Sequence, residues 1–438
     1  MYKRQAHGEP LGEEEIRLTK QALGWPSQEP FFVPQEALDH MRSLAARGAE
    51  AQAEWQGRFD AYRAAHPELA RELEQALSRT LPEGWDADLP TWSPEDKPIA
   101  TRAASGKALN AIAKRVPWLI GGSADLAGSN NTNIDGGGDL EADNYAGRIL
   151  HFGVREHGMG SVMNGMTLHG GVRVFGGTFL IFSEYMRPPI RLAALMEQPT
   201  IYIFTHDSVG LGEDGPTHQP IEQLPSLRSI PGLIDLRPAD ANETTEAWRF
   251  AMEHTEGPVF MALTRQALPH LDRGVMGPAS GLRRGAYVLA EAEGGAPQVI
   301  LIASGSEVET ALEARTTLAG EGIRARVVSM PSWALFSRQD RAYRDEVLPP
   351  SIRARVAVEA AHPMGWDRWV GTEGEVIGIT RFGASAPAKR VFKELGFSAE
   401  NVAAKARHVL GLAGETPELE SGRGAAGPTA HGTDETSA

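Results

Sequence analysis

From Ile99 onward the chain alternates short apolar runs with stretches of helical spacing, and that alternation admits few architectures. Strands separated by helices return to the same sheet through crossovers, so they run mainly parallel, with helices over both faces. The apolar runs fall at 118–121, 149–154, 172–175, 200–204 and 259–264 and, after a Gly-rich joint at 274–285, at 299–303, 325–329, 354–359 and 376–379. The expected fold class is therefore α/β, with two consecutive αβ domains at 99–273 and 285–413 built on mainly parallel sheets. A helix expected over 307–319 follows Ser304-Gly-Ser-Glu, whose serines suit the exposed N–H groups of a helix start. At 438 residues, 41% of them hydrophobic, the chain has material for two or three cores.

Upstream the pattern changes. A charged helix is expected over 13–23, closed by Gly24-Trp25-Pro26 and followed by Phe31-Phe32-Val33, which calls for a packing neighbour. Residues 35–81 are rich in Ala, Glu, Arg, Gln and Leu. Leu38, Met41, Leu44 and Ala45 stand at helical spacing, and breaks are expected at Gly48 and at His66-Pro67. The segment 1–81 thus reads as a helical hairpin or connector, and the Pro- and Trp-containing 82–98 as a linker crossing a surface. Residues 414–438, with little apolar content, are expected to lack order.

The net charge of −14 argues against a nucleic-acid or anionic-membrane surface and leaves room only for local anion sites. No cysteine is present, which excludes disulfides, thiolate metal sites and cysteine nucleophiles and suits a reducing, cytoplasmic setting. No stretch approaches the ~18 apolar residues needed to span a bilayer.

Chemistry concentrates in three places. The loop 205–220, Thr-His-Asp-Ser-Val-Gly-Leu-Gly-Glu-Asp-Gly-Pro-Thr-His-Gln-Pro, follows an apolar strand and brings His206, Asp214 and His218 within reach of one hydroxylated ligand; the alternative is a Gly-Pro surface turn. Glu156 begins a helix expected to bury Met159, Val162, Met163 and Met166, and is either a charge favoured by the helix dipole or a carboxylate that shares a proton with a ligand nitrogen. Phe179, Phe182 and Tyr185, spaced by three after Gly176-Gly177, would share a helical face that either fills a core or stacks on a flat heteroaromatic ring.

Taken together, these stretches resemble the transketolases, thiamine-diphosphate-dependent enzymes. The resemblance is carried by Gly121-Gly-Ser-Ala-Asp-Leu-Ala-Gly-Ser-Asn-Asn, Gly153-Val-Arg-Glu-His-Gly-Met, Gly177-Thr-Phe-Leu-Ile-Phe-Ser-Glu-Tyr, the 205–220 loop, Leu263-Thr-Arg-Gln and Phe382-Gly-Ala-Ser-Ala-Pro, and runs from about His7 to about Ala413. It implies that 99–273 is the pyrimidine-binding domain and 285–413 the family's C-terminal domain. The implied reaction moves a two-carbon ketol unit from a ketose phosphate to an aldose phosphate. By the same resemblance Glu156 hydrogen-bonds a pyrimidine ring nitrogen, favouring the imino tautomer that takes the thiazolium proton. Phe179, Phe182 and Tyr185 line the pyrimidine pocket, and Asp125 lies near the thiazolium. His206, Asp214 and His218 bind sugar hydroxyls, with His206 and His218 assisting proton transfer. Arg102, Ser129, His206 and Arg265 clamp the sugar phosphate. His7 belongs to the cofactor and donor channel. A divalent cation, Mg or Ca, a homodimer and a place in the pentose phosphate pathway are also implied.

The departure concerns the diphosphate. Transketolases bind it and its cation through Gly-Asp-Gly followed by Asn, and the nearest string here, Ile134-Asp-Gly-Gly-Gly-Asp, lies inside the pyrimidine-binding domain. The expectation is that most of the N-terminal diphosphate-binding domain is missing, together with the cation's ligands, that 1–81 is its remnant plus a connector, and that the chain alone is incomplete. The alternative is a catalytically silent or split-enzyme subunit that needs a separate diphosphate-binding chain. Dihydroxyacetone synthase and deoxyxylulose-phosphate synthase fit less well.

Overall fold

The computed structural model describes residues 10–412, so His7 and the tail expectation for 414–438 lie outside the described residues. The chain divides into two compact units between Glu74 and Gln75. In the first, helix α1 (Glu13–Ala22) precedes α2 (Gln35–Ala65). The expected break at Gly48 does not occur: α2 runs through it, because an interior glycine costs only about 1 kcal/mol and its Ala, Glu, Gln and Arg neighbours are strong helix formers. The helix stops where Pro67 forces its predecessor out of the helical region, His66 standing at φ −135° and ψ 65°. Trp55 stacks on Phe59 at 5.2 Å and Phe59 on Tyr62 at 6.4 Å. Phe31, Met41, Leu44 and Trp55 are exposed, an apolar face that no described residue covers. Helix α3 (Pro67–Ser78) follows.

The second unit holds two large sheets and a two-stranded antiparallel one, Ile99–Ala100 with Ala267–Leu268. The first comprises β1 (Leu119–Ser123), β2 (Ile149–His151), β3 (Arg173–Phe179), β4 (Ile201–Thr205), β5 (Ile234–Leu236) and β6 (Val259–Leu263), in the order β2-β1-β3-β4-β6-β5, with every pairing parallel. Alternation along β4 explains its two cores. Ile201 and Ile203 face a layer with Leu109 and Ile112 of α4 (Thr101–Arg115) and Trp248 of a later helix, while Tyr202 and Phe204 face Met159, Met163, Met186 and Ile190. Met159 and Met163 lie on α5 (Glu156–His169), Met186 and Ile190 on α6 (Ser183–Leu195), and Trp248 on α7 (Ala241–Glu253). Val162, expected to be buried, is instead exposed, and the polar Asn164 takes an inward position by donating to the Pro189 carbonyl at 2.9 Å.

β1 is flanked by β2 on one side and β3 on the other, so the winding direction reverses between them. Such a reversal opens a crevice at the carboxyl ends of the strands. Double glycines bring the backbone close there: a Cβ on Gly122 would stand 1.8 Å from the Leu150 carbonyl oxygen, and one on Gly176 2.4 Å from Met163 Sδ.

The second sheet, β7 (Tyr287–Ala290), β8 (Val299–Ala303), β9 (Ala325–Ser329), β10 (Arg355–Val358) and β11 (Glu375–Ile377), has the order β11-β10-β8-β9-β7; only β7 is antiparallel. The strands β5 and β7 were not expected. In Ile234-Asp-Leu-Arg the alternate residues look solvated, yet Asp235 and Arg237 are buried in ion pairs. Helix α8 (Glu307–Gly320) begins as expected, but neither Ser304 nor Ser306 caps it; Ser306 is itself helical, and its hydroxyl meets the Glu307 carboxylate. The linker is fastened down rather than loose: Trp85 joins the first core, and Asn242 on α7 bonds both the amide and the carbonyl of Trp92, at 3.0 and 2.8 Å. No helix among the described residues is long and apolar enough to cross a membrane.

Candidate active site

The carboxyl ends of β1, β2, β3, β4 and β6 converge on one crevice. Glu156 opens α5 just after β2, and its side chain is nearly buried: the residue is 7% exposed and forms no hydrogen bond or ion pair with any described residue. It lines a cleft of about 500 Å³ together with Ala124, Asp125, Leu126, Val154, Phe182 and Tyr185. Asp125 is exposed and held in a left-handed conformation at φ 62°, which turns the chain away from β1 at the cleft rim.

Phe179, Phe182 and Tyr185 do not share a helical face. Phe179 ends β3, Phe182 closes a single 3-10 turn, and Tyr185 lies on α6. They nevertheless form one aromatic run, because the turn carries the sequence spacing around a corner: Tyr185 to Phe182 is 6.2 Å, Phe182 to Phe179 5.8 Å, and Phe179 to the His206 ring 3.7 Å. His218 meets Phe182 and Phe179 edge-on at 5.6 and 6.1 Å. The 205–220 loop thus returns on itself, and its two histidines both meet Phe179.

His206 is buried and left-handed, at φ 59°. The Thr205 hydroxyl donates to Asn130 Oδ1 at 2.7 Å, and Asn130 Nδ2 donates to Ser123 Oγ at 3.0 Å. With its proton given to Asn130, Thr205 Oγ1 accepts from His206 Nδ1 at 2.9 Å, which leaves Nε2 as an acceptor. Burial, then the charges of Arg102, Arg265 and His218, push the His206 imidazole down to about 3, so it is neutral at physiological pH.

Arg102 lies in the first turn of α4 and Arg265 just beyond β6. The two ends are stitched together by Thr101 and Thr264, whose amides and hydroxyls bond one another reciprocally at 3.1 and 2.7 Å. Arg102 donates to the Ser129 carbonyl at 2.6 Å, and burial, then Arg265, hold its guanidinium below its ordinary value. Neither arginine pairs with a carboxylate among the described residues, so two cations and a helix N-terminus face the crevice without a counter-charge, an arrangement that favours an anion. Ser129 contributes its carbonyl to Arg102. Asp214 is exposed on the loop and makes no side-chain contact among the described residues.

The sequence reading missed the groups that hold the site. Ser123, Asn130 and Thr205 set the His206 tautomer, and Ser385 and Gln219 brace the loop: Ser385 Oγ donates to the Glu213 carbonyl, and Gln219 Nε2 to the carbonyls of Gly212 and Ala384 at 2.9 and 3.0 Å. All five lie in or beside the motifs quoted above, but short polar residues in a loop give no spacing signal for their partners. In a second groove of about 550 Å³, along α4 beside Lys107 and Asp135, Asn110 is satisfied by the protein: it bonds Gly106, Asn133 and Asp135. No group of three or more metal-binding side chains occurs among the described residues.

Residues 97–270 match the family described as "Transketolase, pyrimidine binding domain", 285–398 "Transketolase-like TK C-terminal domain", and 2–82 "Transketolase, thiamine diphosphate binding domain". The last match means that the expectation of a missing N-terminal domain is not supported. The chain is similar to a protein named transketolase from Geobacillus stearothermophilus, 52% identical over 92% of this chain and 61% of that protein. It is also similar to the structure of a transketolase complex with sedoheptulose 7-phosphate from Pichia stipitis, with TM-score 0.87 and 40% identity over 92% of this chain and 60% of that one. A structure titled "Split gene transketolase, inactive beta4 tetramer" aligns at TM-score 0.57 and 26% identity over 72% of this chain and 99% of its own. The chain spans about 60% of the length of the curated relatives it matches.

Proposed function

We propose, for a chain that belongs to the transketolase family, that it supplies the pyrimidine-binding and sugar-binding side of a ketol transferase acting from a ketose phosphate to an aldose phosphate. The observation that carries this reading is Glu156: a nearly buried carboxylate without a partner among the described residues, set in a cleft lined by Phe182 and Tyr185. A carboxylate that lines a cleft without a protein donor is free to accept from a ligand, and a pyrimidine ring supplies both the nitrogen and the flat face that Phe182 and Tyr185 can stack on. The residues present therefore fit the pyrimidine half of thiamine diphosphate.

Thiamine diphosphate, when bound, supplies the carbon nucleophile that carries the two-carbon unit between donor and acceptor. Glu156 shares a proton with the ring nitrogen, and the aromatic run excludes water around it. His206, neutral and with Nε2 free to accept, takes a hydrogen bond from a sugar hydroxyl, with His218 beside it; Asp214 reads a hydroxyl at the mouth. Arg102 and Arg265 hold the phosphate, with the Ser129 carbonyl fixing Arg102. The divalent cation that accompanies the diphosphate, His7 in the donor channel, homodimerisation, the domain limits 99–273 and 285–413, and a cytoplasmic role in the pentose phosphate pathway belong to the same proposal.

A second reading, a subunit that works only with a separate diphosphate-binding chain, is favoured by two observations: the exposed apolar face at Phe31, Met41, Leu44 and Trp55, and the end-to-end match to the split-gene structure. One experiment addresses both. Ketol transfer is measured with thiamine diphosphate and Mg²⁺, with and without an added diphosphate-binding chain. Activity only on addition selects the second reading, and activity in neither case sinks both. Where activity appears, Glu156→Gln is expected to lower it at least ~100-fold with the fold retained, since an amide cannot share the ring proton; an unchanged rate would return Glu156 to the role of a helix-terminal charge.

A further inference from the structure

Between the two sheets lies a buried ionic seam centred on Arg237. Arg237, following β5, donates from Nε to Asp207 Oδ2 at 2.9 Å, and from Nη1 to the Ser304 carbonyl at 3.0 Å, to Ser304 Oγ at 3.1 Å and to the Glu307 carboxylate. The side chains of Arg237, Asp207, Glu307 and Glu359 are each 1% exposed. The Ser304-Gly-Ser-Glu motif, expected to cap α8, is therefore a socket for this guanidinium. Gly305 is required there: it stands at φ 56°, and a Cβ would lie 2.7 Å from Arg237 Cζ. The main chain closes the socket, Gly305 N donating to the Arg237 carbonyl at 3.1 Å and Arg237 N to the Pro331 carbonyl at 2.8 Å. The socket is itself anchored, since Ser304 Oγ donates to Glu359, and Glu359 receives Arg228 through two bonds of 2.7 and 2.8 Å and Trp366 Nε1 at 2.9 Å.

Asp207 is the residue after His206. A left-handed, non-glycine residue persists only when its surroundings over-determine it, and here β4 fixes one side of His206 while the Asp207–Arg237 pair fixes the other. We propose that Arg237 is a positioning residue for the sugar-binding loop: seated in the Ser304–Glu307 socket of the second sheet, it holds Asp207 and thereby aims His206 into the crevice. This gives the second sheet, which offers no side chain to the aromatic run or the phosphate clamp, a direct part in substrate recognition. It rests on the ketol-transfer reading for what the loop binds, though not for the geometry it asserts.

The test uses the full chain and two readouts. The first is the imidazole titration of His206 by NMR, which needs neither cofactor nor activity. The charged groups that face this ring are Arg102 from α4, Arg265 after β6 and His218 from the same loop, and they are left intact. In the unaltered chain His206 stays neutral until the pH falls to about 3. In Arg237→Lys, whose single ammonium cannot serve Asp207 and the socket at once, the ring gains solvent and its titration midpoint is expected to rise by at least about 1 unit. The second readout is calorimetric affinity for fructose 6-phosphate, expected to fall about tenfold while the melting temperature identifies a folded protein. If Arg237→Lys does not fold, Asp207→Asn, which keeps the shape and removes the charge, decides by the same two measurements. A His206 midpoint that stays near 3 with affinity within twofold overturns the proposal and makes the seam a core contact only. Failure of the unaltered chain to bind the sugar phosphate while the His206 midpoint shifts in the variant would instead count against the ketol-transfer reading and leave the positioning role standing.

Discussion

The two sheets present the same architectural edge and use it in opposite ways. At the carboxyl ends of the first sheet, Glu156, Arg102, Arg265 and His206 Nε2 have no counterpart of opposite charge or matching donor among the described residues. At the corresponding ends of the second, Ser304, Glu307 and Glu359 follow β8 and β10 in fully buried positions, and each is consumed by Arg237, Arg228 or Trp366. Strand-end geometry thus makes a site possible, but chemistry is available only where polar groups are left unmatched, and the second sheet spends its own on holding the first. Within the second sheet the matching is uneven: Glu359, opposed by burial but held by Arg228, is brought down to about 2, whereas for Glu307 burial outweighs Arg237 and drives it up.

The comparison breaks most visibly at Arg228, whose removal leaves Glu359 and Asp235 buried without their cation. Arg228→Ala is expected to cost about 3–5 kcal/mol in urea unfolding, as for other severed buried pairs. A loss under about 1 kcal/mol would mean that the seam is hydrated and that the two edges are more alike than the contacts indicate. Less costly to the fold is a change at the unmatched edge. Arg265→Ala should leave stability nearly untouched yet reduce kcat/KM for a phosphorylated ketose about tenfold to hundredfold, the contribution of a charge-assisted contact, while hydroxypyruvate, which has no phosphate, is turned over as before. Equal loss on both donors would move Arg265 from the substrate side to the structural side. The smallest effect is expected where the second sheet reaches the tip of the loop. Ser385→Ala removes one hydrogen bond of about 1 kcal/mol, so amide exchange of residues 208–219 should quicken several-fold with no change in melting temperature. Unaltered exchange would confine the brace to Gln219.

How much of this could be read from the chain differs by element. The strand 299–303 is a continuous β-branched and aliphatic run buried on both faces, and the structure has it at Val299–Ala303; 325–329, interrupted by Arg326, is still found at Ala325–Ser329. β5 escaped because its Asp235 and Arg237 imitate a solvated face, and β7 because an antiparallel edge strand stands outside the βα rhythm. In the site, the placement of Glu156 at a helix start and the gathering of His206 and His218 were legible from motif and spacing. The shared helical face of Phe179, Phe182 and Tyr185 was not found, since a strand end, a 3-10 turn and a helix divide the three.

The sequence by itself determined the α/β class, most of the order of elements, and which residue types stand at the strand ends, because periodicity, glycine placement and motif are properties of neighbours along the chain. Only the tertiary structure decided which of those polar groups remain available. Glu156 and Glu359 are both buried glutamates past a strand end, one opening a helix and the other following β10 directly. One meets an aromatic cleft and the other two guanidinium-bearing residues brought from more than a hundred positions away, so that pairing across distance, through desolvation and Coulomb attraction, makes one a candidate for chemistry and the other a foundation for it.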